Sequence, residues 1–247
     1  MQHEQYYYHN KEYTEVLLAN KLDYFQKYLD YILWSSKDND KILDVGCGPG
    51  LVAELSRNQK CQRNFIGLEI SQPSVVECRK KQLNCDLFNG QTIPFGDESF
   101  SVVGSYNVLE HVENPRVFLK ENSRVLKKHG HLIIVCPNFL SISNNYHSHT
   151  KGNKQKLKNI MTLAQKLLKR NYSFEKMATV IRDDFHSDDD ACNITNPLDI
   201  LHWARENNLV LKYWSSQPIY KKGVIGYLDQ SFIKLFLGSC FFVFQKK

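Results

Sequence analysis

The residue types best suited to chemistry fall into three groups in the first half of the chain. A glycine-rich segment at 46–50 directly follows an acidic residue, Asp44. A second acid, Glu69, ends an apolar run, and His111 stands beside a third acid. Glycines let a ligand approach the backbone, carboxylates accept hydrogen bonds from hydroxyl and ammonium groups, and histidine can take up a proton near neutral pH. The three groups predict a nucleoside-cofactor site with a candidate proton acceptor.

The glycine segment discriminates between two kinds of cofactor. The pattern of the run Leu43-Asp44-Val45-Gly46-Cys47-Gly48-Pro49-Gly50 predicts a buried strand that ends in a sharp turn. A helix is predicted to follow it. Dinucleotide binding needs G-x-G-x-x-G, but Leu51 stands where the third glycine would fall. Asp44 would also repel a pyrophosphate, whereas it suits a ligand with a cationic amino group.

Glu69 ends the next predicted strand, which runs over 64–71 and is separated from the glycine segment by one predicted helix. A carboxylate at the end of the second strand can accept both hydroxyls of a ribose. Glu69 is therefore the predicted ribose ligand. A helix over 73–81 should follow, with Ser71 as its cap.

Further segments in the same order resemble a known family. They are Leu87–Phe100, Val108-Leu109-Glu110-His111-Val112, Arg124–Gly130 and Pro137-Asn138. With the glycine loop they make the chain similar, over residues 41–138, to the class I S-adenosylmethionine-dependent methyltransferases of the small-molecule, type 11-like branch. Lys128-His129-Gly130, which replaces that family's usual P-G-G, is predicted to form a turn.

The resemblance implies S-adenosyl-L-methionine as cofactor and supplies its contacts. The family's adenine-binding aspartate falls on Asn89, whose side-chain carbonyl can still accept from an amine; Asp86 is the alternative. The implied cofactor-binding residues are Asp44, Gly46, Cys47, Gly48, Glu69, Ile70, Asn89, Gly90, Gln91 and Asn107. His111 is the candidate catalytic base, although it could instead only orient its loop.

The implied fold is α/β, a doubly wound, Rossmann-like, mostly parallel sheet of seven strands with a helical lid insertion. The expected organisation is an N-terminal helical segment at 1–40, a cofactor-binding core at 41–138, a lid at 139–197 and the rest of the core sheet at 198–247. Within 1–40 a tyrosine could close over the site; the candidates are Tyr6, Tyr7, Tyr8 and Tyr13.

The lid segment departs from the family pattern. Periodicity predicts an amphipathic helix over 154–170 whose apolar face is Leu157, Ile160, Met161, Ala164, Leu167 and Leu168. Residues 151–182 hold nine Lys or Arg and one acid. The favoured interpretation is a helix packed over the cleft with a solvated basic back, and the alternative is peripheral contact with an anionic surface.

The acidic run 183–190 invites a metal hypothesis, but its spacing matches no calcium loop, so no metal is expected. His147, His149 and His186 are further candidate bases.

Composition sets the outer limits. The net charge is +6, which permits an anionic partner without demanding nucleic acid. Seven scattered cysteines without a C-x-x-C pair favour a reducing, cytoplasmic setting. No leader or membrane-spanning run is predicted, and the oligomeric state stays open.

The function predicted from these features is O-methylation of a small molecule. Three alternatives remain: N- or C-methylation of a small molecule or lipid-linked acceptor, methylation of nucleic acid, and a non-catalytic scaffold that binds the cofactor. Nucleic acid is disfavoured because no P-P-Y-type motif is present and Cys136-Pro137 reverses the Pro-Cys of cytosine-carbon enzymes.

Overall fold

A computed structural model describes residues 11–143, 152–180, 189–221, 229 and 231–247. Its main sheet has seven strands in the order β3 (Cys85–Leu87), β2 (Asn64–Glu69), β1 (Lys41–Val45), β4 (Phe100–Tyr106), β5 (Leu126–Pro137), β9 (Ser239–Lys246) and β8 (Leu209–Ser215). The non-consecutive neighbours show the crossovers of a doubly wound α/β fold. The predicted fold class is confirmed.

The contacts within the chain group it into two compact units. The first comprises the described residues up to Tyr106, together with Arg116–Ile133 and Gln245–Lys247. The second comprises Asn107–Pro115 and Ile134–Phe244. The predicted division into four segments stays a prediction.

The described elements up to residue 106 are four helices and four strands, with a short 3₁₀ turn at Leu22–Phe25. Their bounds are α1 Lys11–Leu18, α2 Gln26–Trp34, β1 Lys41–Val45, α3 Leu51–Asn58, β2 Asn64–Glu69, α4 Gln72–Lys80, β3 Cys85–Leu87 and β4 Phe100–Tyr106. β1 pairs in parallel with both β2 and β4. Ile42, Leu43 and Val45 are buried because a central parallel strand is covered on both faces.

The described elements after residue 106 are three helices and five strands, with a second 3₁₀ turn at Phe232–Phe236. Their bounds are α5 Pro115–Val125, β5 Leu126–Pro137, α6 Asn153–Lys169, β6 Glu175–Lys176, β7 Asn193–Ile194, α7 Pro197–Glu206, β8 Leu209–Ser215 and β9 Ser239–Lys246. β6 and β7 form a separate antiparallel pair. β9, the last strand, lies between β5 and β8.

Helix starts follow the predicted caps, whereas one predicted turn is absorbed into a strand. The side chain of Ser71 accepts from Ser74 N at the start of α4, and Asn196 caps α7 in the same way. β5 extends back to Leu126, through the residues predicted as a turn. His129 has φ +62°, so the backbone turns locally inside the strand.

The basic helix α6 forms, but its buried face differs from the predicted one. Asn159, Leu163 and Lys166 are its buried residues. The predicted apolar face is exposed instead, with Leu157 at 60% and Leu168 at 84% exposure. The prediction of the packed face was wrong because a polar stripe finds hydrogen-bond partners that periodicity does not reveal.

No helix in the described part of the chain is both long enough and apolar enough to cross a bilayer.

Candidate functional site

The glycine loop has a backbone that only glycine adopts readily. Gly46, Gly48 and Gly50 have φ of 77°, 53° and 77°, all in the left-handed region. The amide of Gly46 donates to the carbonyl of Leu68 over 2.7 Å, which ties the loop to β2. A Cβ on Gly48 would lie 3.2 Å from Leu17 Cδ1, so α1 packs directly on the loop. The loop therefore presents open backbone beneath a short helix.

Asp44, at the end of β1, is a buried acid. Its side-chain Oδ1 accepts from the Tyr28 hydroxyl over 3.0 Å, and the residue is 5% exposed. Burial raises the pKa of Asp44 to about 7, the Tyr28 hydrogen bond opposes that shift, and the nearby Glu69 carboxylate adds to it. Such a carboxylate gains most from a cationic ligand, since a cation offsets both the desolvation and the neighbouring negative charge.

Tyr28 was not predicted as a site residue. The predicted candidates were four tyrosines that precede it in the sequence. Tyr6, Tyr7 and Tyr8 lie outside the described residues, and Tyr13 lies on α1. One signal in the sequence could have indicated it. Tyr28 lies on the apolar face of α2, where it is buried, and a buried hydroxyl requires a hydrogen-bond partner. Helix α2 thus delivers a hydrogen-bond donor to the end of β1.

Glu69 is fixed to the glycine loop by backbone hydrogen bonds. One carboxylate oxygen accepts from Gly48 N over 2.8 Å, and the other accepts from the amides of Ile70 and Ser71, each over 2.8 Å. Burial raises the pKa of Glu69, and these three hydrogen bonds oppose the shift. Because an ionised carboxylate offers about four acceptor positions, a ribose diol would compete with at least one of these amides.

The predicted adenine segment forms a compact turn. Asn89 Oδ1 accepts from Gln91 N over 2.9 Å and from Thr92 N over 3.1 Å. Since the turn uses this oxygen, Asn89 is better placed to offer a ligand its amide donor than its carbonyl. A Cβ on Gly90 would lie 3.6 Å from Ile70 Cγ2, so these two predicted contacts are neighbours.

The remaining predicted residues, Asn107 and His111, belong to the second unit. Asn107 is exposed, has φ +54°, and its amide donates to Val135 O over 2.8 Å. Its strained backbone marks the point where the chain leaves β4.

His111 lies between two buried carboxylates. Its Nδ1 is 3.1 Å from Asp190 Oδ1, and its Nε2 is 3.6 Å from Glu110 Oε1. Glu110 is 1% and Asp190 is 8% exposed. Neither contact has the geometry of a hydrogen bond. Asp190, at ion-pair distance from Nδ1, is the nearer of the two carboxylates whose charge can act on the imidazole.

Residues from the end of the lid segment hold the His111 loop in place. The amides of Cys192 and Asn193 donate to the Glu110 carbonyl over 2.9 and 3.1 Å. The Asn193 side chain donates to Val112 O over 2.6 Å. Sequence patterns leave the role of the acidic run open, and its last residue lies against His111. The other candidate bases, His147, His149 and His186, lie outside the described residues.

The first unit fits the cofactor that the sequence implied. Three left-handed glycines leave alternate positions of the loop without a side chain, and a buried acid with a raised pKa stands ready for an ammonium or sulfonium charge. Glu69 ends the neighbouring strand, at the position of a ribose ligand in this class of sheet.

Comparisons with known proteins agree with this geometry. Residues 43–134 match a family model described as a methyltransferase domain. An uncharacterised protein of Methanocaldococcus jannaschii is 27% identical, over 98% of this chain and 94% of its own length. A ubiquinone biosynthesis O-methyltransferase of Pelagibacter ubique is 30% identical, over 40% of this chain and 43% of its own.

Solved structures share the fold. An S-adenosylmethionine-dependent methyltransferase from Mesorhizobium loti superimposes with a TM-score of 0.60 at 12% identity, covering 92% of this chain and all of its own. The domain match and the glycine loop agree: residues 43–134 form a methyltransferase domain of the type 11 branch of the class I S-adenosylmethionine-dependent methyltransferases.

Proposed function

We propose that this methyltransferase acts on an oxygen atom of a small molecule, with His111 as the general base. The observation that supports the proposal is the 3.1 Å approach of Asp190 to His111 Nδ1. An O-methyltransferase among the relatives favours the same acceptor atom.

The proposed division of labour places cofactor binding in the first unit. Asp44 receives the cationic methionine end on the glycine loop, with contacts from Gly46, Cys47 and Gly48. Glu69 and Ile70 take the ribose, and the turn Asn89-Gly90-Gln91 takes the adenine. When bound, the cofactor supplies an electrophilic methyl group on a sulfonium. The chain's main contribution to the rate is to hold that group and the acceptor in line.

The proposed base depends on the tautomer of His111. A carboxylate at Nδ1 favours the tautomer that carries its proton there, which leaves Nε2 as the acceptor. Nε2 can then remove a proton from an acceptor hydroxyl, and Asp190 stabilises the resulting imidazolium. Glu110, 3.6 Å from Nε2, adds a second negative charge at the other ring nitrogen.

The test compares His111→Ala and Asp190→Asn with His202→Ala, a partly exposed histidine outside the pair. A panel of phenols, catechols and hydroxy acids is screened by release of S-adenosylhomocysteine. We expect His111→Ala to lower kcat by about 10²–10⁴-fold, with the Kd of S-adenosylhomocysteine within about twofold of wild type. Asp190→Asn should shift the pH–rate profile, and His202→Ala should change neither quantity. Unchanged kcat in His111→Ala would leave the histidine only a loop-orienting role.

The alternatives give different results in the same assays. Methylation of amines but not hydroxyls would replace the oxygen acceptor with nitrogen. RNA or DNA binding with a steep salt dependence would indicate a nucleic-acid substrate. Tight binding of S-adenosylhomocysteine without turnover on any acceptor would indicate a scaffold.

The basic helix α6 suggests where an acceptor could reside. Exposed apolar side chains, among them Leu157, Met161 and Leu168, lie on a helix that also carries Lys154, Lys156 and Lys158. Exposed apolar groups beside cations suit an anionic lipid surface. We propose peripheral contact with such a surface, which would suit a lipid-linked acceptor, in the reducing compartment that the cysteines favour.

Co-sedimentation with phosphatidylserine-containing vesicles tests this contact. Neutralising Lys154, Lys156 and Lys158 to Gln should reduce the bound fraction severalfold. The matched control neutralises Lys127 and Lys128, which are exposed elsewhere and should have little effect. Equal losses in both variants, or equal binding to neutral vesicles, would contradict a role for α6.

A further inference from the structure

Three cysteines that are distant in sequence meet beneath the glycine loop. Cys47 belongs to the loop, Cys78 to α4 and Cys85 to β3. Their sulfur atoms all lie within 4.8 Å of one another, and Cys47 Sγ is 3.3 Å from Cys85 Sγ. In the described part of the chain this is the one group of three metal-ligating side chains found so close together. Sequence patterns do not reveal it, because no two of the three share a metal-binding spacing.

An oxygen atom completes the group. The carbonyl of Gly48 lies 3.4 Å from Cys78 Sγ and 3.6 Å from Cys47 Sγ. This carbonyl comes from the central residue of the loop, whose amide donates to Glu69. The group therefore comprises three sulfurs and an oxygen that lies close to two of them.

Three of the separations can be compared with those of a tetrahedral metal site. With metal–sulfur distances of about 2.3 Å and metal–oxygen distances of about 2.1 Å, neighbouring sulfurs lie about 3.8 Å apart and sulfur lies about 3.6 Å from oxygen. The two sulfur–oxygen distances already agree, and the Cys47–Cys85 pair must open by roughly half an ångström. Such a movement is a side-chain adjustment.

Space and access favour a ligand. A Cβ on Gly67 would lie 2.5 Å from Cys47 Sγ and 3.4 Å from Cys85 Sγ, so this glycine of β2 makes room for the sulfurs. A small cavity lined by all three cysteines adjoins the group, and Cys47 is partly exposed.

A positive charge lies beside the cluster, since Lys81 is among the groups whose charge acts on Cys78. A thiolate is the form of cysteine that binds metals. Three thiolates around a divalent cation would carry one net negative charge, which Lys81 could offset. The Lys81 ammonium group also donates a hydrogen bond to Pro49 O in the loop.

We propose that Cys47, Cys78 and Cys85, with the Gly48 carbonyl, bind a divalent d¹⁰ cation that favours sulfur, zinc being the common member of that class. A bound ion would fix the carbonyl of the residue whose amide holds Glu69. It would thereby stiffen the loop on which the cofactor is proposed to lie.

Cadmium titration of the reduced, chelator-treated full-length chain tests the site through the ultraviolet thiolate-to-cadmium charge-transfer band. We expect a band that saturates at one equivalent. Cys85→Ala should weaken binding by about a hundredfold or more, whereas Cys61→Ala and Cys240→Ala, outside the cluster, should match wild type. Absence of the band, or equal affinity in Cys85→Ala and Cys61→Ala, would overturn the site.

Alkylation of the wild-type chain, mapped by peptide mass spectrometry, avoids variants that fail to fold. Zinc should slow N-ethylmaleimide modification of Cys47, Cys78 and Cys85 together, and leave Cys61 unaffected. A Cys47–Cys85 cross-linked peptide in the chain as purified, with no zinc protection after reduction, would show a disulfide pair instead and would reject the metal site.

Discussion

A carboxylate buried beside a second carboxylate is unfavourable until a cation joins it, and Asp44 is in that position. The Tyr28 hydroxyl offsets part of the cost with one hydrogen bond. Residue types alone predicted Asp44 and Glu69 as cofactor ligands, because both stand at the ends of apolar strands. They could not predict that Asn89 Oδ1 is used by its own turn, since that depends on local backbone geometry.

The affinity for S-adenosylhomocysteine should depend on pH through Asp44. Its pKa of about 7 in the ligand-free protein means that the carboxylate is protonated below that pH. A cationic ligand needs the ionised form, so affinity should rise with pH by up to about tenfold per unit, and level off above pH about 7. Isothermal titration between pH 5.5 and 8.5 measures this profile.

Two variants control that experiment. Asp44→Asn should bind weakly with a flat profile, and Asp97→Asn, an exposed acid in the same unit, should keep the wild-type profile. A pH-independent wild-type Kd would argue against an interaction between Asp44 and a cation.

Helices α1 and α6 are each held in place by a few short contacts with neighbouring elements. Helix α1 is attached to the loop by Leu17 against Gly48, and to α4 by the 2.9 Å contact between the Thr14 and Ser74 hydroxyls. Helix α6 is attached through Lys166, which reaches Asp199 on α7 over 3.1 Å. Periodicity predicted both helices, but it could not predict attachments to partners many residues away.

Gly48→Ala should destabilise the loop. Its φ of +53° is unfavourable for alanine, at a cost of about 1–2 kcal/mol, and its Cβ would press on Leu17. Urea unfolding should show this loss, and S-adenosylhomocysteine should bind more weakly. Gly96→Ala is the matched control, since its Cβ would meet only Ser99 Oγ, at 3.8 Å. Equal effects from both substitutions would contradict a specific requirement at 48.

Lys166→Met should cost about 3–5 kcal/mol of unfolding free energy, because it leaves a buried acid without its cation. Lys166 is 4% and Asp199 is 1% exposed, and burial raises the pKa of Asp199 despite the lysine. Lys158→Met, on the exposed side of the same helix, should stay within about 0.5 kcal/mol of wild type. The double variant Lys166→Met with Asp199→Asn should recover part of the loss. No recovery would mean that packing, rather than the unpaired charge, causes the effect.

At the scale of the whole chain, the fold class was predictable because five motifs follow one another between residues 41 and 138. The matched domain at 43–134 covers that same stretch. The packing of helix α6 was not predictable, because two of its three buried residues are polar and hydrogen-bond to residues distant in the sequence. The thiol cluster was not predictable either, because three separate elements contribute one cysteine each.

The stability of the ligand-free chain should fall as pH rises through the range set by Asp44. The unfolded acid has a pKa near 3.8 and the folded one about 7, so between these values the folded state holds the extra proton. The stabilisation is complete below pH about 4 and is lost by pH about 7, and amounts to at most about 4 kcal/mol. Asp44→Asn should therefore melt at a higher temperature than wild type at pH 8, and this advantage should shrink toward pH 5. A constant difference across that range would assign the stability change to another cause.

The attachment of α1 also affects how quickly the enzyme could exchange S-adenosylhomocysteine for a new molecule of S-adenosylmethionine. A helix as short as α1 is marginal by itself in water, and Thr14 is its one buried residue. Such an element can detach at a small fraction of the cost of global unfolding. Product release would then need only the fraying of one helix, with the sheet left intact. A disulfide engineered between positions 14 and 74 would hold that helix down, allowing one round of methyl transfer and slowing the rounds that follow.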